Sequence, residues 1–543
     1  MQRVRPAAGV ILSVLVFALI GGVFGSGVLA TDQRIDEREK AFSSALSEIQ
    51  ANYVDKVDSD RLVYSAIRGM LSTLDPHSSF FDPREYAQMR ERQEGRYYGL
   101  GITIQPIEGN IVASSVFEGS PAYKKGIRRG DIIAKISGED TKGKGSDAAR
   151  DKLRGPKGTT VQIEITRKGY ANPIPLGVTR DEVYIPTVPA YFMIDAQTGY
   201  IRHKDWGENT DHDIRHALQD LSSKGMKRLL YDIRGNPGGP LDQAIKTANE
   251  FLPKGSTIVK TAGRIPNSDQ DYRATEESTF TNIPMVVIAN RNSASASEIF
   301  TGAMQDHDRA YVVGETTFGK ALVQSVYRIS NGAGLALTTA HYYTPSGRLI
   351  QRPWDESFDE YLTYTSRDQT DTKTHNPSDL KYTDAGRPVY SGGGIEPDKY
   401  VADGGLEGVG FNPTPFGRLL YARQDFENFA ERFDAAGDHR IAQPATGRVT
   451  VSPDFEVTDQ MIADFKEMLK SERLKIEEDA FAKDKEFIRA MIRYRIDEAV
   501  FGFEAAQKHL IAVDPQAIVA MTEFGEAQKL LAMRRTGKTT PAN

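Results

Sequence analysis

Met285-Val-Val-Ile-Ala289, followed by Asn290-Arg-Asn-Ser-Ala-Ser-Ala-Ser-Glu298, is the stretch on which the fold turns. Five consecutive apolar residues with a β-branched centre are too short for a buried helix. They fit a strand covered on both faces. The Asn/Ser run ends that strand, and Ala296–Asp306 reads as a helix. Ser295 therefore falls at a strand-to-helix turn, beside unpaired N–H groups and the positive helix end. Donors of that kind stabilise an oxyanion. Read alone, Ser295-x-x-Glu298 is equally a capping-box pattern, and helix caps are the commoner use of a serine at such a position.

Outward from this stretch the same alternation continues. Asp211–Lys224 and Leu241–Phe251 read as helices, Leu229–Ile233 and Ala310–Val313 as strands, which argues for an α/β domain with a largely parallel sheet. Tyr97 to Arg180 differs: short β-branched runs alternate with glycine turns, as in a β-domain. Residues 33–89 and 458–536 carry apolar positions at helical spacing. Ile265–Asn282 and Asp355–Arg387 are polar and read as surface insertions.

Gly319-Lys320 and Gln324 follow Ser295 closely. A serine hydroxyl is a weak nucleophile and needs a base. No histidine stands in a recognisable triad, so lysine is the next candidate. It must be neutral to accept a proton, which requires a pKa near ~7–8 rather than about 10.4. Phe318, Leu322 and Val323 offer an apolar setting, and Gln324, four residues on, shares a face with Lys320 if this stretch is helical. Gly314-Glu-Thr-Thr-Phe-Gly319-Lys320 also matches the start of a P-loop, but Ala321 stands where that pattern needs Ser or Thr.

Tyr231-Asp-Ile-Arg-Gly-Asn-Pro-Gly-Gly239, Ser293-Ala-Ser-Ala-Ser-Glu298, Val313-Gly-Glu-Thr-Thr-Phe-Gly-Lys320 and Tyr343-Thr-Pro-Ser-Gly347 occur in that order. Together they resemble the core of the carboxyl-terminal processing (tail-specific) serine proteases, peptidase family S41. The resemblance implies Ser295 as nucleophile, Lys320 as base and Gln324 as its support, with the backbone N–H groups of Ala296 and Gly238 forming the oxyanion hole. It further implies acyl transfer to serine, then hydrolysis.

Tyr98-Gly-Leu-Gly-Ile102 is similar to the carboxylate-binding loop of PDZ domains. Gly119-Ser-Pro-Ala122, Gly126-Ile-Arg-Arg-Gly-Asp131 and Leu153-Arg-Gly-Pro-Lys-Gly158 follow in the order found in the PDZ domain embedded in these proteases. Tyr98, Gly99, Leu100, Gly101 and Ile102 are thus expected to bind a substrate's C-terminal tail, which adds as an edge strand. Arg154 is expected to have a regulatory role, as a basic residue of that loop has in some family members. The expected chain is α/β and multidomain. It comprises a signal sequence or N-terminal anchor (1–31), an N-terminal helical region (32–95), an inserted PDZ β-domain (96–182), a protease core with a mostly parallel sheet (183–400) and a mainly helical C-terminal region (401–543).

Composition sets the outer limits. The 543 residues are 39% hydrophobic and 26% charged, with no cysteine, which excludes disulfides, thiolate catalysis and Cys-based metal sites. A net charge of −6 without a basic stripe argues against nucleic acid. Arg3 and Arg5 precede an uncharged run from Ala7 to Ala30, longer than the ~20 residues a membrane-spanning helix needs, so export is expected, with the segment either removed or kept as an anchor. A bacterial periplasm or cell envelope fits that reading. His212-x-x-x-His216 lacks the glutamate of zinc proteases, and neither a metal nor another cofactor is expected. The expected partners are proteins with exposed apolar C-termini, an adaptor or activator, and further copies of the chain joined through the helical regions. The competing reading is a catalytically inactive PDZ scaffold with a protease-like fold.

Overall fold

The computed structural model describes residues 36–354, 358–366, 375–403, 406, 409–441 and 446–535. The expected signal or anchor, residues 1–31, lies outside them. Among the described residues no helix is long and apolar enough to cross a membrane. The described residues fall into two compact units, those up to 84 with 326–337, and those of 85–325 with those beyond 337.

In the first unit a helix over 36–52 precedes the helix Ser59–Leu71, which Asp58 caps by accepting from the N–H groups of Asp60 and Arg61. The strand Ser79–Phe81 pairs antiparallel with residues 334–336. Leu71, Phe80 and Ala333 make a small core, flanked by Tyr64, Ile67 and Leu335.

The second unit contains the β-domain and the α/β core. In the β-domain Ile102–Ile107, Asn110–Val116, Ile132–Ile136, Thr160–Thr166 and Ile174–Thr179 form an antiparallel sheet in that order, with Ile102–Ile107 at one edge. Ile111, Ile133, Ile163, Ile165 and Val178 form its core, together with Leu153 of the helix Ser146–Leu153.

The core sheet has the order Ala190–Met193, Thr198–Arg202, Arg228–Asp232, Met285–Ala289, Tyr311–Gly314, Lys399–Tyr400. Its first pair is antiparallel and the other four are parallel. Over all the described residues antiparallel pairing predominates; outside this sheet the parallel pair is the short one between Phe433–Ala435 and Val449–Val451.

Alternation along the strands explains why Met285–Ala289 is buried throughout. Leu229, Tyr231, Met285, Val287 and Val312 face the helices Thr210–Ser223, Leu241–Asn249 and Ala296–Asp306. Leu230, Val286, Ile288 and Val313 face Ile511, Ala517, Ala520 and Phe524 of the C-terminal helices. Those helices also bury a core of their own around Phe426, Phe429, Phe465 and Met491.

The two polar stretches are less superficial than their composition suggests. Ile265–Asn282 contains the strand Gln270–Arg273, paired with Thr257–Ala262. In Asp355–Arg387, part of which lies outside the described residues, Tyr361 and Tyr364 are buried because their rings find Phe318.

Candidate active site

Three loops leave the carboxyl ends of adjacent parallel strands, where open α/β sheets form their binding crevices. They are Ile233–Gly239, Asn290–Ser295 and Glu315–Lys320. Hydrogen bonds tie them to one another. Ser293 Oγ donates to the carbonyl of Ile233 (3.0 Å), Ala294 N–H to that of Asn236 (3.0 Å), and Phe318 N–H to that of Ser293 (3.0 Å).

Ser295 is half-buried and has φ +55°, ψ −113°, a left-handed conformation for a residue with a side chain. Such a residue stores on the order of 1–3 kcal/mol and persists only where its surroundings over-determine it. The surroundings here are Glu298 and Tyr342. Glu298 is wholly buried. Its Oε2 accepts from the N–H of Ser295 (2.8 Å) and of Lys320 (2.9 Å), and its Oε1 from the Thr317 hydroxyl and the Gly319 N–H (2.6 Å each). The Tyr342 hydroxyl lies 3.0 Å from the Ser295 carbonyl and 2.6 Å from that of Lys320. One carboxylate and one phenol therefore hold Ser295 and Lys320 side by side through their backbones. Burial pushes the Glu298 carboxyl up to about 7 against the pull of its donors, and pushes the Tyr342 hydroxyl well above its ordinary value, keeping it a donor.

Lys320 Nζ donates to Gln324 Oε1 (2.8 Å). The pairing arises differently from the helical expectation. Gln324 lies in the strand Leu322–Arg328, and residues four apart share a strand face because side chains alternate with period two. Phe318, next to Gly319, packs edge-on to Tyr361 and Tyr364. Arg352 covers the Tyr364 ring at 3.5 Å and donates to the Phe318 carbonyl (2.8 Å).

Gly238 has φ +90°, and a Cβ on it would stand 2.6 Å from the Ala294 carbonyl, 2.7 Å from Ser295 Cβ and 2.9 Å from the Ala296 nitrogen. Glycine is needed there twice over, for the backbone angle and for the approach. In this structure the Gly238 N–H donates to Asn236 Oδ1 (3.1 Å). Asn236 is fixed in turn, donating to the His203 carbonyl (3.1 Å), and its own carbonyl accepts from Ser297 Oγ, which receives the Trp206 indole N–H (2.9 Å). The Tyr343–Gly347 motif lies at the other end of the helix Ala296–Asp306, where Asp306 accepts from Ser346 N–H and Oγ and pairs with buried Arg348.

In the β-domain, Leu100 is buried and its carbonyl accepts from Ala122 N–H (2.9 Å), while that of Gly101 accepts from Phe117 N–H (2.9 Å). Gly101 has φ +83° and abuts Ser120 so closely that no Cβ fits. Tyr98 is exposed, Gly99 ends the strand Arg96–Gly99, and Ile102 opens the edge strand. Arg154 follows the helix Ser146–Leu153 and pairs with Glu91 (2.7 Å), its guanidinium 5.2 Å from the Tyr97 ring. A cavity of about 810 Å³ lies where the β-domain, the core and the C-terminal helices meet. Val116 and Phe117 line it, as do Gly235, Pro237, Asn292 and Phe503.

The family model "Peptidase family S41" matches residues 197–354, the PDZ domain model residues 88–166, and that of the activating protease CtpB N-terminal domain residues 28–84. The chain is 36% identical over 348 residues to a carboxy-terminal-processing protease of Bartonella bacilliformis, covering 63% of this chain and 79% of that one. It belongs to the carboxy-terminal processing proteases of family S41. A carboxy-terminal processing protease CtpA of Bacillus subtilis is 34% identical over 322 residues, 59% of this chain and 67% of the relative. Among solved structures, a photosystem II D1 C-terminal processing protease matches at 30% identity and a TM-score of 0.33, over 57% of this chain and 89% of that one. As a member of this family the chain is a serine-type peptidase with a PDZ domain, and its substrates are proteins.

Within this S41 protease, Ser295, Ala296, Gly238, Lys320 and Gln324 come together at one crest of the sheet, whereas the partners of Arg154 are Glu91 and Tyr97. Sequence reasoning missed two residues, Glu298 and Tyr342. The first was visible only as the end of a capping box. The second stands one residue before the Tyr343–Gly347 motif, with nothing local to mark it.

Proposed function

We propose that this protease is exported to the bacterial cell envelope, captures exposed apolar C-termini with its PDZ domain and cleaves by a Ser295–Lys320 dyad. The observation that carries this reading is the double tether by which Glu298 and Tyr342 hold both residues, with Gln324 accepting from the lysine amine.

In the proposed reaction neutral Lys320 takes the Ser295 proton as Oγ attacks the peptide carbonyl. The N–H groups of Ala296 and Gly238 receive the oxyanion, the latter once Asn236 Oδ1 gives it up. Lys320 then protonates the leaving amine, and water hydrolyses the acyl-enzyme. Gln324 orients the amine without adding the negative charge that would keep it protonated. The tail would add beside Ile102–Ile107, its carboxylate on the Tyr98–Ile102 loop. The uncharged segment before Asp32 supports export, and the proposed domain limits are 96–182 for the PDZ domain and 183–400 for the core. Adaptor binding and self-association through the helical regions belong to the same proposal.

The test is cleavage of an unfolded protein with an apolar C-terminus by chain lacking residues 1–30. Ser295→Ala and Lys320→Ala should each abolish it while the fold is kept. Activity surviving in the lysine variant would sink the dyad, and equal cleavage of a substrate with a charged C-terminus would sink the apolar-tail preference.

A further inference from the structure

Arg234 is wholly buried between the end of the strand Arg228–Asp232 and Gly235, the root of the turn that carries Gly238. Its Nε and Nη2 donate to Asp232 (3.0 and 2.6 Å). The remaining nitrogen, Nη1, reaches the C-terminal helical region, donating to Asp514 Oδ2 (2.8 Å) and Gln516 Oε1 (3.0 Å). Asp232 is already shared, because it also accepts from Arg202 (3.1 Å) and the Tyr200 hydroxyl (2.8 Å). Two guanidinium groups thus face one carboxylate inside the core, and Asp514 supplies the second.

From these contacts we infer that Asp514, with Gln516, is a positioning residue for the oxyanion turn, so that the C-terminal region takes part in catalysis through Arg234. The inference rests on the role proposed above for Gly238. Asp514 is itself held rigidly. It caps the helix Pro515–Thr522 by accepting from Ala517 N–H (3.0 Å) and also accepts from Gly410 N–H (3.0 Å). Gly410 leaves no space for a side chain, since a Cβ there would overlap the Asp514 carboxyl and stand 2.9 Å from Arg234 Nη1. Gln516 is anchored by donating to the Val401 carbonyl (2.6 Å). Without Asp514 a buried cation loses its balance, and such a group moves or drags its backbone rather than remain uncompensated. The backbone it would drag is Gly235–Gly239, where a displacement of an ångström disrupts reaction geometry.

Asp514→Asn keeps the size and the capping oxygen but removes the charge. With a cleavable peptide its kcat should fall by on the order of 10- to 100-fold while KM stays within about two-fold, in a protein that still melts cooperatively. Gln516→Ala should cost a smaller factor of about three in kcat. The control is Asp484→Asn. Asp484 is buried in the same region but its side chain accepts from Thr414 N–H (2.8 Å) and Oγ1 (2.6 Å), within that region, so the variant should melt lower and keep its kcat. A folded Asp514→Asn with wild-type kcat overturns the inference, as does an equal kcat loss in Asp484→Asn. Should Asp514→Asn not fold, an unchanged kcat in Gln516→Ala overturns it. Failure of the underlying reading shows separately, as activity retained in Ser295→Ala.

Discussion

The crest that carries Ser295 and Lys320 and the seat of the PDZ domain are held by opposite means. At the crest one buried carboxylate collects four neutral donors, and the loops exchange backbone hydrogen bonds. The PDZ domain is instead strapped to the C-terminal region by arginines. Arg128 pairs with Asp434 and Asp438, Arg129 reaches Gln424 (2.6 Å), Arg440 covers the Tyr123 ring at 4.6 Å, and Arg448 donates to the Lys168 carbonyl (3.0 Å). Neutral hydrogen bonds are indifferent to salt, whereas ion pairs respond to it, weakly where they are as buried as Arg128 with Asp434 and Asp438. The crest is therefore held independently of ionic strength, and the PDZ seat keeps a small dependence on it.

The largest expected effect comes from removing the hub of the crest. Glu298→Ala would orphan four donors, each worth about 1–3 kcal/mol when unsatisfied, so stability should fall by at least about 3 kcal/mol and kcat by about 100-fold. A variant that melts like the wild type and cleaves normally would break the comparison. The charge on Glu298 gives the second test. Its folded value, about 7, stands above the ordinary 4.5, so the folded state keeps a proton that the unfolded chain has released. Its stabilising contribution is full below about pH 4.5, is lost progressively as pH rises to about 7, and is flat beyond. The change is on the order of 3 kcal/mol. Glu298→Gln should flatten that part of a plot of melting temperature against pH. Because only the ionised carboxylate can accept from all four donors, its ionisation should add to the rise of kcat through the same pH, and the glutamine variant should lose that part while keeping the part set by deprotonation of Lys320.

At the PDZ seat the effects should be smaller and salt-dependent. Arg128→Ala should cost about 1–2 kcal/mol, read as faster hydrogen exchange over residues 111–133 with the crest unchanged, and high salt should reproduce part of it. Equal protection in the variant and the wild type would mean that apolar contact, not charge, seats the domain. Arg154→Ala should be the mildest, below about 1 kcal/mol, since its pair with Glu91 is partly exposed. A large drop in kcat there, with tail-peptide affinity unchanged, would instead join Arg154 to the crest.

What was legible in the sequence follows from how local each signal is. The strand Met285–Ala289 and the helix Ala296–Asp306 could be read to the residue, because an unbroken apolar run and an Asn/Ser break mark them. The pairing of Lys320 with Gln324 was legible from spacing, but its cause was not, since a spacing of four suits a helix face and a strand face alike. Tyr361 and Tyr364 were hidden in a polar segment whose composition says nothing of where two rings will pack. Glu298 looked like a helix cap because the three other donors of its carboxylate lie on a different loop. Asp514 is marked locally only as the cap before Pro515, and nothing points to the arginine it pairs with, 280 residues away.

That distance has a consequence in time. Arg234 leaves the ribosome long before Asp514, by roughly 15–60 s at ordinary rates of synthesis. Until the last helices arrive, one guanidinium nitrogen beneath the turn has neither of its C-terminal acceptors. If Asp514 serves the oxyanion turn as inferred, the site is finished only once the last helices have been made, and a truncated product would be a poor enzyme rather than an unregulated one.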